Sequence, residues 1–286
     1  MIGVLMEINK THLIDIKEGL RQLDRECADI IIVDPPYNIG KDFGICKDNL
    51  NFQEYLYWCD CWIYECLRVL KNSGTMFIYG LSETLAYIFV NIDLNKKWLI
   101  WSYKNKAVPS LNFWQRSHES IIAVWKENRI FNRDLVREPY TEIFLKNAAG
   151  RTRNKTKGRF SNGEKETVYV AHKDGALPRD VIQIPALAGG AGRKERWFYC
   201  KTCNGTFFPN DKTHNDHEII KHPTQKPLAL TRKLLLSCKP ENNGFVVVPF
   251  AGSGSEVFCA KELNMDFIGF DINEDYVNMA NSLIGV

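Results

Sequence analysis

The chain is expected to fold as an α/β protein with a doubly wound, mostly parallel sheet and an inserted region. Three observations carry this expectation. Apolar runs bounded by turn residues alternate with stretches of helical spacing. The run Ile30-Ile31-Ile32-Val33 ends in Asp34, and sheets of this class place their chemistry at the C-terminal ends of strands. Far along the chain, a Gly-rich turn, Phe250-Ala251-Gly252-Ser253-Gly254-Ser255, joins an apolar strand to a helix.

In chain order, Asp15 ends a short strand and precedes a helix over Ile16–Leu23. Ile30–Val33 reads as a buried parallel strand because four consecutive β-branched residues leave no polar face. Phe52–Leu70 sets Phe52, Leu56, Cys59, Ile63, Cys66, Leu67 and Leu70 at helical spacing. Its Trp and Tyr residues suit a core or dimer surface better than base stacking. Thr75–Tyr79 is a strand, Glu83–Ile92 a helix, and Trp98–Ser102 and Ser120–Trp125 are further strands. Residues 126–220 break the rhythm. Beyond them the chain returns to helix, strand, helix, strand, helix: Gly244–Val248 and Asp266–Phe270 are strands, and Asn273–Ile284 is a helix. A catalytic core of 1–125 and 221–286, with an insertion at 126–220, is the resulting domain plan.

Asp34-Pro35-Pro36-Tyr37 carries the chemistry. Two prolines stiffen the backbone and remove two N–H donors. What remains is a carboxylate, free carbonyl oxygens and a flat aromatic face. That set suits a planar base with an exocyclic amino group: Asp34 and the Pro35 carbonyl each accept one amino hydrogen, and Tyr37 stacks on the ring. Asp34-Pro35 alone would mark only a strand running into a turn. The preceding buried strand, Pro36 and Tyr37 together favour a site.

The Gly-rich turn lets a ligand approach the backbone closely. Nicotinamide, flavin and S-adenosylmethionine enzymes all use such turns. This turn is too short for G-x-G-x-x-G, because Val257 occupies the third glycine's place. Asp271, closing the next strand, fits ribose hydroxyls. It equally fits an N-cap for Asn273–Ile284, and the two roles are compatible.

Together these segments resemble the amino-methyltransferases of DNA, in the β arrangement where the catalytic motif precedes the cofactor loop. Asp34–Tyr37 matches the family's DPPY motif. Phe250–Ser255 resembles its F-x-G-S-G-T loop, and Lys221-His222-Pro223-Thr224-Gln225-Lys226-Pro227 resembles the H-P-T-Q-K-P motif that opens a cofactor helix. Asp15 resembles the acid that faces the cofactor's adenine, with Ile16 beside it. The resemblance spans residues 7–125 and 221–285. It implies a Rossmann-like fold that binds S-adenosylmethionine through Asp15, Ile16, Asp34, His222, Thr224, Lys226, Phe250, Ala251, Gly252, Ser253, Gly254, Ser255 and Asp271. It implies catalysis at Asp34, Pro35, Pro36 and Tyr37. Two departures stand out: Val248 replaces the Asp common before Pro-Phe, which removes a polar cofactor contact, and Ser255 replaces Thr but keeps the hydroxyl.

The insertion is expected to recognise the target. Arg151-Thr152-Arg153-Asn154-Lys155-Thr156-Lys157-Gly158-Arg159 holds five basic residues and no acid. Arg151, Arg153, Lys155, Lys157 and Arg159 suit phosphate contacts, as do Arg193 and Lys194 in the flexible stretch Gly189–Lys194. By itself such a run is commonly a solvated loop. Trp114-Gln115-Arg116 suits DNA contact or packing equally. Cys200-Lys201-Thr202-Cys203-Asn204-Gly205 resembles a zinc knuckle. With His214 and His217 it offers the two-sulfur, two-nitrogen set of tetrahedral structural zinc, although the H-x-x-H spacing is shorter than a finger's. Free thiols beside surface histidines are the competing reading. A zinc site here would pin the insertion, and its loss would weaken DNA binding more than cofactor binding.

Composition restricts the partners. At 286 residues and 45% apolar, one large domain with an insertion is expected. A formal charge of +3 means that DNA affinity comes from local patches. No run approaches roughly 18 uninterrupted apolar residues, so no membrane span is expected. Nine cysteines, an odd number mostly in apolar contexts, suit a reducing cytoplasm, and the resemblance implies a bacterial one.

The function expected is DNA adenine-N6 methylation of a flipped-out base in a specific double-stranded sequence, in a restriction–modification setting with a cognate endonuclease. A homodimer is implied by the resemblance. Asp34, rather than Ser, at the motif's first position favours adenine on the family pattern. Cytosine-N4 methylation is the first alternative. A zinc-containing nucleic-acid-binding module with an inactive nucleotide fold is the second.

Overall fold

The computed structural model describes residues 6–44, 48–105, 110–147, 149–154, 166–168 and 170–286. The chain divides into two compact units, 1–131 with 180–286, and 132–179. The first unit begins with β1 (Lys10–Leu13), α1 (Ile16–Arg21), β2 (Ala28–Val33), α2 (Phe52–Val69), β3 (Leu70–Gly80), α3 (Ser82–Asn91), β4 (Asn95–Ser102) and β5 (His118–Trp125). The second unit carries α4 (Glu142–Asn147), β6 (Thr152–Asn154) and β7 (Glu166–Val168). The chain then rejoins the first unit as β8 (Val181–Gln183), α5 (Gly189–Glu195), β9 (Phe198–Cys200), β10 (Gly205–Phe207), β11 (Ile219–Ile220) and α6 (Leu228–Cys238). It closes with β12 (Phe245–Val248), α7 (Ser255–Glu262), β13 (Asp266–Asp271) and α8 (Glu274–Ile284).

Eight strands form one sheet in the order β1-β13-β12-β2-β3-β5-β4-β8. β1, β13, β12, β2 and β3 are parallel neighbours, and only β5 runs against the rest. This is the mostly parallel α/β sheet that the alternating pattern implies. The order reverses between β2 and β12, which makes a crevice at their C-terminal ends.

β2 explains how the layers form. Ile30 and Ile32 enter one apolar layer with residues of α6, α7 and α8; Ile31 and Val33 enter the other with α1, α2 and α3. Every residue of β2 is buried, so no polar alternation survives. Each buried isoleucine contributes about 1.5–3 kcal/mol. On α2, Tyr55, Cys59, Trp62, Ile63, Cys66 and Val69 face inward at helical spacing. Asn51 caps that helix by accepting from Gln53 N at 3.0 Å. Tyr57 and Tyr64 lie on its exposed face. Leu70 passes directly into β3 and pairs with Ala28, so that strand starts earlier than Thr75.

The stretch 126–220 does not stay together. β8 pairs with β4 at the sheet edge, and Trp197 and Tyr199 pack on Met279 of α8. Residues 180–220 therefore belong with the first unit. Gly189–Lys194, expected as a flexible stretch, falls in the short helix α5. Its end is held by Arg196 N donating to Gly192 O at 2.9 Å and by Glu195, which accepts from Leu228 N. Within the second unit, Arg137 donates to Gly175 O at 2.7 Å, and Glu138 accepts from Arg179 at 3.1 Å. A Cβ at Gly175 would lie 2.3 Å from Glu138 O, and its φ of +106° also requires glycine.

Among the described residues no helix is long and apolar enough to cross a membrane. None of the eight described cysteines is in a disulfide.

Candidate active site

The C-terminal ends of β1, β2, β12 and β13 open on one cavity of about 330 Å³, within the size range of small-molecule sites. Asp15, Ile16, Asp34, Pro35, Pro36, Tyr37, His222, Thr224, Lys226, Phe250, Ala251, Gly252, Ser253 and Asp271 all line it. Segments from both ends of the chain thus meet as the motif order suggests. Gly254 and Ser255 stand behind the wall. Gly254, with φ +88°, presses on Ala280 of α8, and Ser255 Oγ donates to the Lys226 carbonyl at 3.1 Å.

The Gly-rich turn is shaped by two partners. Gly252 N donates to Asp271 Oδ2 at 2.8 Å, while Asn273 N donates to Asp271 Oδ1 at 2.9 Å. The α8 cap itself is Asn273, which accepts from Asp275 N, so Asp271 is not the N-cap of that helix. Burial raises the Asp271 carboxyl, and the N–H groups of Asn273, Gly252 and Ile272 oppose that shift. At Gly252, φ is +48° and a Cβ would lie 2.8 Å from His222 Nε2. His222 packs edge-on to Tyr276 with centroids 4.6 Å apart. Burial, then the nearby cations Lys226, Lys41 and Arg196, push His222 down to about 3, so its imidazole is neutral. Asp15 caps α1 by accepting from Lys17 N at 2.9 Å and still lines the cavity. Val248 is fully buried in the core and does not reach the cavity.

Asp34 sits at the centre of a charged cluster. Tyr37 Oη donates to Asp34 Oδ1 at 2.7 Å and lies 3.1 Å from Glu119 Oε2. Lys226 Nζ reaches Asp34 Oδ2 at 2.5 Å and Glu119 Oε2 at 3.7 Å. Burial alone would lower the Lys226 ammonium, but Asp34 and Glu119 outweigh it and raise it. Burial raises the Tyr37 phenol, and the two carboxylates raise it further. Pro36 O accepts from Tyr55 Oη at 2.7 Å, whereas no described group donates to the Pro35 carbonyl. Asp34, with its carboxylate, and Pro35, whose carbonyl has no described donor, thus both line the cavity together with the Gly-rich turn.

Several residues of the site carry no sequence motif. Glu119 does not itself line the cavity but backs Tyr37 and Lys226 from β5, 82 positions from Tyr37; its only sign in the sequence is a charge entering an apolar strand. Asp48 accepts from Asn38 N at 2.6 Å and Ile39 N at 3.0 Å, fixing the loop after Tyr37. Trp58 stacks obliquely on Phe250 at 5.6 Å. Glu256 is buried behind Lys226, and burial followed by Asp34 pushes it up to about 7.

The family model described as DNA methylase, of the N6/N4 type, matches residues 28–282. The chain belongs to the N6/N4 DNA methylases. Type II methyltransferase M.HpaI of Haemophilus parainfluenzae is 30% identical over 92% of this chain and 70% of its own length. DNA adenine methyltransferase YhdJ of Escherichia coli (strain K12) is 28% identical over 93% of this chain and 79% of its own. Among solved structures, the PvuII DNA methyltransferase, described as cytosine-N4-specific, superposes with a TM-score of 0.61 at 15% identity, covering 96% of this chain and 85% of that one. That likeness establishes the fold alone. This DNA methylase therefore shares its family with an enzyme named for adenine and its fold with one named for cytosine.

The remaining sequence-singled residues lie elsewhere. Arg151 and Lys194 are exposed; Arg153 lies in β6 and Arg193 in α5. Lys155, Lys157 and Arg159 fall outside the described residues. Trp114 is 87% exposed and so does not pack in the interior of the chain, and Arg116 pairs with Glu83 at 3.5 Å. Cys200, Cys203, His214 and His217 converge within 4.8 Å of one another.

Proposed function

We propose that this DNA methylase transfers the methyl group of S-adenosylmethionine to the N6 amino group of a flipped-out adenine in a specific double-stranded sequence. One observation carries the reading. Asp34 and Pro35, whose carbonyl has no described donor, line a single cavity with the Gly252 turn and Asp271. Asp34 Oδ1 and the Pro35 oxygen accept the two amino hydrogens, which draws the nitrogen lone pair out of conjugation with the ring. Tyr37 offers a ring face for stacking. Asp271, the Gly252 turn, Asp15 and the His222–Thr224 segment hold the cofactor, which supplies an electrophilic methyl group. As the new N–C bond would form, the sulfur–methyl bond would break with its electron pair returning to sulfur, S-adenosylhomocysteine leaving; the amino nitrogen then carries a surplus proton, and Asp34 is placed to accept it. Positioning and charge placement supply the rate; no covalent enzyme intermediate is required.

Asp34 at the first motif position and the adenine relative YhdJ favour adenine over cytosine N4. Exposed Trp114 and the basic residues Arg151 and Lys194 are suited to DNA contact. Tyr57 and Tyr64, 73% and 69% exposed on the outer side of α2, offer a face for a second copy. A restriction–modification role, with a cognate endonuclease acting at the same sequence, fits the type II relatives.

The test is to express the chain in a methylation-free host and separate the digested DNA by liquid chromatography with mass detection. N6-methyladenine is the expected product. N4-methylcytosine would overturn the base assignment alone, and unmodified DNA would overturn the activity. 5-Methylcytosine is not expected, since carbon methylation uses a Pro-Cys nucleophile and none of the nine cysteines follows a proline.

A further inference from the structure

The residues Cys200, Cys203, His214 and His217 lie outside the cavity, and neither the fold nor the proposed chemistry uses them. β9, β10 and β11 form a small antiparallel sheet in which Cys200 pairs with Gly205 on one side and Ile219 on the other. Cys203 lies in the tight turn between β9 and β10, and Asn204, at φ +54°, completes the reversal. The Cys203 N–H points at Cys200 Sγ at 3.3 Å, a donor that stabilises a metal-bound thiolate. His217 Nδ1 lies 3.4 Å from Cys200 Sγ, 3.3 Å from Cys203 Sγ and 3.4 Å from His214 Nδ1.

These distances match three of the six edges of a tetrahedron, and the remaining edges are no longer than 4.8 Å. With zinc–sulfur bonds of about 2.3 Å and zinc–nitrogen bonds of about 2.05 Å, the sulfur–nitrogen edge is about 3.5 Å and the nitrogen–nitrogen edge about 3.3 Å. Four lone-pair donors converge on one point, so an electropositive centre belongs between them. Two thiolates would neutralise a divalent ion, which suits a site with Cys200 fully buried. The short H-x-x-H spacing works because His214–His217 is a turn, closed by His217 N donating to His214 O at 3.1 Å. In that turn both histidines present Nδ1 to the same point. His214 Nε2 faces Asp211 Oδ2 at 3.7 Å, and its ring stacks on Phe207 at 4.1 Å. A carboxylate behind a ligating imidazole is the usual outer partner of such a ligand.

What this knuckle touches decides what it does. Thr206 N of β10 donates to Ser282 Oγ of α8 at 2.9 Å, and Lys201 pairs with Asp275 of α8 at 3.2 Å. Trp197, just ahead of β9, donates from Nε1 to the Ser253 carbonyl at 2.8 Å and from its backbone N to Gln225 Oε1 at 3.3 Å. Ser253 belongs to the Gly-rich turn and Gln225 to the segment between His222 and Lys226. α8 carries Tyr276 into the cavity wall and Ala280 against Gly254.

We infer that Cys200, Cys203, His214 and His217 bind one structural zinc ion, and that this zinc knuckle buttresses the cofactor turn through Trp197 and α8. The second half rests on the reading of the Gly252 turn as the cofactor site. It reverses the sequence-based expectation that loss of zinc would act mainly on DNA binding. The knuckle is fastened to the turn and to α8.

The test uses the full chain, purified without chelator. Metal analysis should find about one zinc per chain, and cobalt exchanged into the site should give the visible absorption of a tetrahedral thiolate complex. A chain that holds no zinc and takes up neither zinc nor cobalt would overturn the site. Hydrogen exchange is then compared between the zinc-loaded chain, the chelated chain and Cys203→Ser. Peptides covering 197–207, 250–256 and 276–283 should lose protection while 28–33 keeps it, and the Kd for S-adenosylmethionine should rise at least about fivefold. Unchanged protection around the turn, or equal loss across the whole chain, would overturn the buttress. The metal and exchange measurements need no cofactor. A zinc-binding chain that never binds S-adenosylmethionine therefore sinks the proposed function without touching the metal site.

Discussion

Asp34→Ala removes more than an acceptor for the substrate amine. Lys226 is a buried side chain, only 4% exposed, and its ammonium is paired with Asp34 at 2.5 Å. Without Asp34, Glu119 at 3.7 Å is the nearest remaining carboxylate partner. Leaving a buried charge without its partner costs about 3–5 kcal/mol, less if the lysine gives up its proton. At about 2.1 cal/mol/K of unfolding entropy per residue, 286 residues make about 0.6 kcal/mol/K, so 3 kcal/mol lowers Tm by about 5 °C. Turnover should fall at least about a hundredfold, the size of a lost transition-state contact. The two effects separate in the double variant Asp34→Ala/Lys226→Met, which removes both charges and keeps the lysine's apolar volume. Its Tm should recover most of the loss, while its methyl transfer to DNA, followed with labelled cofactor, should stay low. Asp34→Ala with near-normal turnover, or recovery of turnover in the double variant, would refute the catalytic role of Asp34.

Three further outcomes follow from particular contacts. Glu256, buried and raised from 4.5 to about 7, holds its proton in the folded chain where the unfolded chain has lost it, so stability falls as pH rises through 4.5–7 and the full cost remains above 7. Glu256→Gln should therefore gain about 3 kcal/mol over the parent at pH 8 and little at pH 4.5 in denaturant titrations, and an equal gain at both would contradict the buried-acid reading. Gly252→Ala places a methyl 2.8 Å from His222 Nε2 at φ +48°, so calorimetry should show S-adenosylmethionine affinity reduced about tenfold or more, and unaltered affinity would remove the turn from the cofactor site. Trp114→Ala should change stability by no more than about 0.5 kcal/mol yet weaken DNA binding by about 1–3 kcal/mol, and unchanged binding in a filter or anisotropy assay would return that side chain to idle surface.

The elements legible in the sequence are those whose local pattern and tertiary role agree. Ile30–Val33 is continuous in apolar character because both faces of β2 are covered, and the Asp34–Tyr37 motif follows it directly. The Gly252 turn is legible because only glycine tolerates its φ beside His222. Residues brought in across the sheet are another matter. Lys226 meets Asp34 across 192 positions, and Glu119 meets Tyr37 across 82. No periodicity encodes either distance; closure of β12 on β2 and of β5 on β3 does. The helix α5 defies its own composition, since three of its seven residues are glycine and its C-terminal end is held by tertiary hydrogen bonds through Glu195 and Arg196. The division of the chain at 132–179 is hidden in the sequence for a related reason. Loss of alternating elements after residue 125 marks irregular structure, which here includes strands that return to the sheet edge as well as a separate unit.

The segment from His222 to Lys226 joins the two halves of the cavity. At one end His222 walls the Gly252 turn, and at the other Lys226 reaches Asp34 and Glu119. Two carboxylates near one phenol would repel each other and swing apart. The Lys226 ammonium beside both, and the Tyr37 hydroxyl between them, hold Asp34 in one orientation before any base arrives. Ser255 Oγ, at the start of α7, donates to the Lys226 carbonyl at 3.1 Å, so the backbone that carries this lysine is anchored to the helix following the turn. Under the proposed function, one short segment thus sets the spacing between the methyl-donor side and the amine side. Methyl transfer to nitrogen offers the protein little covalent chemistry to assist, so that spacing is where its catalytic contribution concentrates.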